Sequence, residues 1–281
     1  MPEPTESAAV RPAHQRSQTV GGRTGPWIES ECPLSSDTEL QADQLGVDQQ
    51  QTDPTDRALT QSGLTALRHE LAERSAEFES GAAGSVIAWA RGRFGSRLSL
   101  ACSFQDAVIV DLAVAVDPGI EVIFLDTEAH FPETLEYVEA IRTRYDLNLT
   151  VTKPAAGAEA FPCGADQCCE YRKVRPLRQA LAGNEAWLTG LKRVDAPTRA
   201  AAPIVSYDDS WGMVKINPLA TWTDADIAGY EADHGLPRHP LLSRGYLSIG
   251  CAPTTRPVAE GEDPRAGRWS GTGKVECGLH T

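Results

Sequence analysis

A cysteine stands near the end of this chain, in Glu276-Cys277-Gly278-Leu279-His280-Thr281, with a glycine behind it and a histidine three residues on. Few residues remain there to bury it, so Cys277 reads as a thiol built to move and react. Arg265, Arg268 and Lys274 crowd its approach. Cations and a histidine favour the thiolate, the nucleophilic form of cysteine. A lone terminal thiol is more often incidental than catalytic, but other residues change that balance. A Cys168-Cys169 pair opens an expected helix, and a Cys251-Ala252-Pro253-Thr254 turn lies shortly before the tail. Adjacent cysteines cannot easily bond to each other, yet both can serve a metal cluster if the backbone turns between them. Arg172, Lys173 and Arg175 follow the pair and would offset the charge of thiolate ligands. Together these residues point to a redox nucleophile acting on an anionic substrate.

For such groups to meet, the chain between them must supply a scaffold. Leu64, Leu67, Leu71 and Phe78 recur at helical spacing, and Val86, Ile87, Trp89, Ala90 and Phe94 predict a second helix. Strands are expected over 97–101, 121–125 and 147–152, separated by helices over 106–116 and 132–145. A further strand is expected over 185–190 and a short one over 213–216, and Thr223 should cap a helix running to His234. Strand and helix alternating in units of this length predict an α/β fold, a parallel sheet wound with helices. Ligands of such sheets bind beyond the carboxyl ends of the strands, where Ser103 and Asp126 fall. Arg199 sits in a basic loop after the 185–190 strand, and arginine's planar fork suits phosphate or sulfate.

At 281 residues and 41% hydrophobic content, the chain can hold one large domain with appendages. No stretch approaches the roughly 18 apolar residues of a membrane span. A net charge of −13 argues against nucleic-acid binding, which needs clustered basic surface. Seven cysteines, an odd number that includes an adjacent pair, make a poor disulfide framework. The opening residues lack a signal or transit pattern, so a cytoplasmic location is expected. Residues 1–60 are polar and aperiodic and are expected to be a disordered tail.

Ordered motifs then carry a resemblance. Ser103-Phe104-Gln105-Asp106, Leu125-Asp126-Thr127, Phe131-Pro132-Glu133-Thr134, the Cys168-Cys169 helix with Arg172-Lys173, Thr189-Gly190-Leu191-Lys192-Arg193, Gly250-Cys251-Ala252-Pro253, Gly267-Arg268-Trp269 and the terminal Cys277 segment occur in sequence. From residue 98 onward the chain resembles the assimilatory sulfonucleotide reductases. Those enzymes reduce adenosine 5′-phosphosulfate (APS), or its 3′-phosphorylated relative PAPS, to sulfite. The resemblance implies an adenine nucleotide alpha hydrolase-like fold, with a nucleotide-binding reductase domain over 61–250 and a flexible, cysteine-bearing catalytic segment over 251–281. It implies Cys277 as the nucleophile that forms an S-sulfocysteine, with thioredoxin or a similar dithiol releasing sulfite. It gives Lys173, Arg265, Arg268 and His280 to the phosphosulfate and Ser103, Asp126 and Arg199 to the nucleotide pocket.

The resemblance also implies a 4Fe-4S cluster on Cys168, Cys169 and Cys251, with one departure. Cluster-bearing members complete the set with Cys-x-x-Cys, and the second position of that pair here is Thr254. Three thiolates predict a labile or substoichiometric cluster, and Cys163, in the preceding loop, is not expected to replace the missing ligand. The leading expectation is an APS reductase. The double cysteine weighs against a PAPS reductase, whose members generally lack cluster cysteines. A non-enzymatic module holding structural zinc on the cysteines would leave Cys277 unexplained. Oligomeric state stays open, and a homo-oligomer is compatible with everything above.

Overall fold

The computed structural model describes residues 60–270, 274 and 276–279. The expected tail, apart from its last residue, and His280 lie outside the described residues. Thr60 caps α1 (Gln61–Phe78) by accepting a hydrogen bond from Gly63 N, and α2 (Ala83–Phe94) buries Val86, Ile87, Ala90 and Phe94. There follow β1 (Leu98–Cys102), α3 (Val108–Val116), β2 (Glu121–Leu125), α4 (Pro132–Tyr145) and β3 (Leu149–Thr152). After a long connection come α5 (Arg175–Ala180), β4 (Ala186–Thr189), β5 (Val205–Asp208), β6 (Met213–Ile216) and α6 (Asp224–Asp233).

The strands form one six-stranded sheet in the order β3-β2-β1-β4-β6-β5. Alternation along them sorts side chains to opposite faces. Leu100, Val122, Phe124 and Leu188 pack with α2 and α3, whereas Ile123 and Trp187 pack with Leu177 and Leu181 of the α5 region. Helices on both faces explain the unbroken apolar runs 122–125 in β2 and 186–188 in β4. From β1 the chain steps outward through β2 to β3, then returns to lay β4 against the other side of β1. That reversal opens a crevice beyond the carboxyl ends of β1 and β4, where such sheets bind ligands.

One strand departs from the expected parallel sheet. β5 pairs antiparallel with β6 at the sheet edge. The residues between them close a tight turn, in which Trp211 N and Gly212 N donate to Asp208 O and Gly212 takes φ 68°. A connection that short permits only an antiparallel neighbour. β5 is held from the other side by Ser75, whose Oγ accepts from Ile204 N at 3.0 Å and Val205 N at 3.3 Å.

The helix expected from Cys168 onward begins with a widened π turn, Glu170–Val174, before α5. Such turns insert an extra residue and re-aim side chains. Of the cations following the cysteine pair, Arg172 donates to Thr127 O at 3.0 Å and Ala158 O at 3.2 Å. Arg175 pairs with Glu170 and lies over Tyr171, 4.0 Å from its ring centroid. Lys173 alone of the three lines the crevice.

Two histidines outside the crevice, His234 and His239, have structural partners. His234 ends α6 and pairs with Asp111. His239 is buried, its Nδ1 accepting from Leu241 N at 3.2 Å and its Nε2 lying 3.1 Å from Thr134 Oγ1. Burial pushes its pKa from 6.5 down to about 4. The unfolded chain therefore takes up a proton between those values that the folded chain does not, and stability falls with acidification across that window. The loss should reach about 3 kcal/mol near pH 4, and His239→Gln should flatten the pH dependence of the denaturant midpoint there.

Candidate active site

The crevice holds a cavity of about 210 Å³, lined among others by Ser103, Lys173, Arg199, Arg265, Arg268 and Cys277. Residues expected from distant parts of the sequence to share one site therefore do so. Asp126 does not line the cavity; its Oδ1 accepts from Glu128 N at 2.9 Å, so the carboxylate shapes the turn after β2 instead. Ser103 follows β1 directly. Phe104, next to it, is fully buried with φ 54° and packs edge-on to Phe124 at 5.5 Å. That anchored ring forces the loop to turn away from the strand and leaves Ser103 exposed toward the cavity, at the entrance to α3. A helix start behind such a loop suits an anionic oxygen.

The cations approach from the other wall. Arg268 Nη1 donates to Ser248 Oγ at 3.2 Å and Ile249 O at 3.1 Å, and the guanidinium lies over Trp269, 4.6 Å from the ring centroid. Its Nε is buried without a hydrogen-bond partner. The fit depends on Gly250, since a Cβ there would lie 2.2 Å from Arg268 Nη2. Burial pulls the Lys173 pKa down, but the thiols of Cys251 and Cys277 outweigh it and hold the group above the usual lysine value. Lys173, Arg199 and Arg268 line the same cavity as Cys277.

What holds Cys277 there is the residue before it. Arg199 grips the Glu276 carboxylate with both arms of its fork, Nε to Oε1 at 2.8 Å and Nη2 to Oε2 at 2.9 Å. Thr198 and Arg265 add longer contacts at 3.3 and 3.5 Å, and both ends of the pair are buried. On the far side Lys215 Nζ donates to Leu279 O at 3.1 Å. Arg199, assigned from the resemblance to the nucleotide pocket, lines the cavity but gives its fork to the tail. Burial alone would raise the Glu276 pKa; the Arg199 hydrogen bonds and charges override it and hold it below the ordinary 4.5. The latch is therefore complete above the usual carboxylate range and is lost as pH falls through a value below it. Glu276→Gln is expected to lower kcat/KM by at least about tenfold while leaving the melting temperature of the domain nearly unchanged. Steady-state kinetics beside a thermal melt checks this, and an unchanged kcat/KM would remove the latch from catalysis.

The other thiols differ in character. Cys102 lines the cavity, but burial pushes its pKa up to about 12, which keeps it protonated and inert. Cys168, Cys169 and Cys251 are all buried. Lys274 Nζ donates to Cys169 Sγ at 3.2 Å, and Thr127 Oγ1 lies 3.4 Å from Cys251 Sγ. Cys163 does not stay apart as expected: its Sγ reaches 3.9 Å from Thr254 Oγ1 and lies against the Cys251 thiol. Among the described residues no group of three or more His, Cys, Asp or Glu is arranged to hold a metal ion. Glu276 and Gly250 were missed from the sequence, where nothing marks a carboxylate beside a nucleophile as the partner of an arginine so far up the chain.

Residues 97–257 match the model of the phosphoadenosine phosphosulfate reductase domain. An adenosine 5′-phosphosulfate reductase of Mycobacteroides abscessus is 46% identical over 234 residues, covering 80% of this chain and 98% of its own. One of Mycobacterium tuberculosis is 49% identical over 209 residues, 71% of this chain and 82% of the relative. A solved phosphoadenylyl-sulfate reductase of Candida auris, in a phosphate complex, superposes with a TM-score of 0.57 at 27% identity, covering 71% and 98% of the two chains. The mostly parallel sheet, its reversal at β1 and β4 and this likeness agree with the nucleotide alpha hydrolase-like architecture implied by the motifs. By domain match and by identity over most of its length, the chain belongs to the phosphoadenosine phosphosulfate reductase family.

Proposed function

We propose that this chain reduces adenosine 5′-phosphosulfate to sulfite and AMP in sulfate assimilation. The observation that carries the reading is the convergence of Cys277 with Lys173, Arg265 and Arg268 in one cavity at the sheet's switch point. The Cys277 thiolate attacks the sulfur of the phosphosulfate, the bond from sulfur to the bridging oxygen breaks, and AMP leaves with the electron pair. Cations already in place along that path stabilise the charge developing on phosphate and sulfonyl oxygens, so little reorganisation is needed. The enzyme then carries an S-sulfocysteine. A thiolate of thioredoxin or a similar dithiol attacks Cys277 Sγ and expels sulfite. The second thiol of that dithiol resolves the mixed disulfide, returning Cys277 reduced at the expense of two reductant electrons.

A 4Fe-4S cluster fits the donors present. Cys168, Cys169 and Cys251 are buried soft ligands, and Lys173 and Lys274 stand beside them to balance thiolate charge. Bound there, a cluster supplies a fixed charge centre next to Lys173 and ties the 168–169 segment to the 251 turn. The experiment for the overall reading is sulfite release from APS and from PAPS with a thioredoxin-type reductant. A strong preference for APS is expected, and turnover of PAPS alone would replace the substrate assignment.

A further inference from the structure

We infer that Cys163 is the fourth thiolate ligand of the cluster, standing in from a different segment for the cysteine that Thr254 replaces. The inference rests on the proposed cluster and concerns only which residue completes it. Its basis is the path of the loop between β3 and the cysteine pair. That loop folds back on the π turn: Ala155 N donates to Tyr171 O at 2.8 Å, Arg172 Nη2 holds Ala158 O, and Phe161 stacks on Tyr171 with centroids 4.6 Å apart. Pro162 then opens a tight turn closed by Ala165 N to Pro162 O at 2.9 Å, with Gly164 at φ 98°. The turn runs so near the 252–254 turn that a Cβ on Gly164 would stand 3.1 Å from Thr254 Cγ2. Cys163 is thereby carried to the place where residue 254 would present its own sulfur, with its Sγ 3.9 Å from Thr254 Oγ1.

Thr254 itself is a poor candidate. Its hydroxyl donates to Cys251 O at 3.4 Å, and an alcohol of high pKa does not compete with thiolate for iron. Cys163 is chemically equivalent to the absent cysteine and needs no rearrangement of the fold to reach the site. The closeness of Cys163 to Cys251 also raises a different chemistry, a disulfide between them, which the test must separate.

Iron and acid-labile sulfide per chain, with the visible thiolate-to-iron absorption, should be measured on the full chain purified anaerobically and followed in air. The unaltered protein should hold a full cluster. Cys163→Ser should keep its circular dichroism and AMP binding but lose iron at least about tenfold more readily, and Cys163→Ser with Thr254→Cys should restore wild-type retention. Equal iron retention by wild type and Cys163→Ser would overturn the ligand assignment while leaving the cluster in place. A Cys163 to Cys251 disulfide in the anaerobic protein, read by differential alkylation and mass spectrometry, would overturn it as well. An unaltered protein that binds no iron yet reduces APS would instead overturn the cluster reading itself. Should Cys163→Ser fail to fold, the double variant decides: wild-type iron supports the assignment, and none overturns it.

Discussion

Replacing Cys277 with serine should stop sulfite formation, by roughly 10³-fold or more, while nucleotide binding persists. A hydroxyl at neutral pH is a far weaker nucleophile than a thiolate, and among the described residues no other thiol lining the cavity is free to take over. Cys102 lines the same cavity but is held as a neutral thiol by burial, and Cys168, Cys169 and Cys251 are packed away from solvent. Wild-type protein mixed with APS and no reductant should gain the mass of one sulfonate on the peptide that contains Cys277. An adduct on Cys102 or Cys163 instead would show that the tail thiol is not the nucleophile.

Arg268→Ala should cost roughly 2–4 kcal/mol of transition-state stabilisation, the scale of losing one preorganised donor. The guanidinium is fixed by Ser248, Ile249 O and Trp269, and its Nε lacks a protein partner, so it is oriented before substrate arrives. Gly250→Ala should fall in the same direction without touching the charge, because its new methyl would displace the same guanidinium. Single-turnover rates of adduct formation measure both, and a normal rate in Arg268→Ala would remove it from the chemistry.

The scaffold was legible because burial on both faces leaves apolar runs: β1, β2, β4 and α4 fall within a residue or two of their expected positions. β5 was not, since only Val205 among its residues is buried and the rest carry no alternation to read. At the site, Cys277, Lys173, Arg265 and Arg268 were legible as residue types that cluster near the tail or the cysteine pair. For Asp126 the sequence did not show that its carboxylate caps the turn after β2, since a strand-end carboxylate can serve a turn or a ligand alike. Arg199 lines the cavity as expected, but its ion pair with Glu276 was not legible, nor was the approach of Cys163 to Thr254. Both depend on long-range approach, Arg199 to Glu276 and residue 163 to 254, for which the local pattern holds no trace.

The Arg199–Glu276 fork bears on how the two proposed half-reactions would be timed. One peptide bond separates Glu276 from Cys277, so the sulfur cannot travel far while the carboxylate stays gripped. Under the proposed chemistry a folded dithiol protein is too large to enter a cavity of about 210 Å³ and would meet the sulfonated sulfur outside it. On that chemistry each turnover would include an undocking step, in which a buried charge pair separates and both ions regain water, and a redocking step that rebuilds it. Rate limitation can thus sit in the swing of the arm rather than in sulfur chemistry. In that regime solvent viscosity should slow turnover, whereas the leaving-group isotope effect on AMP release should be muted.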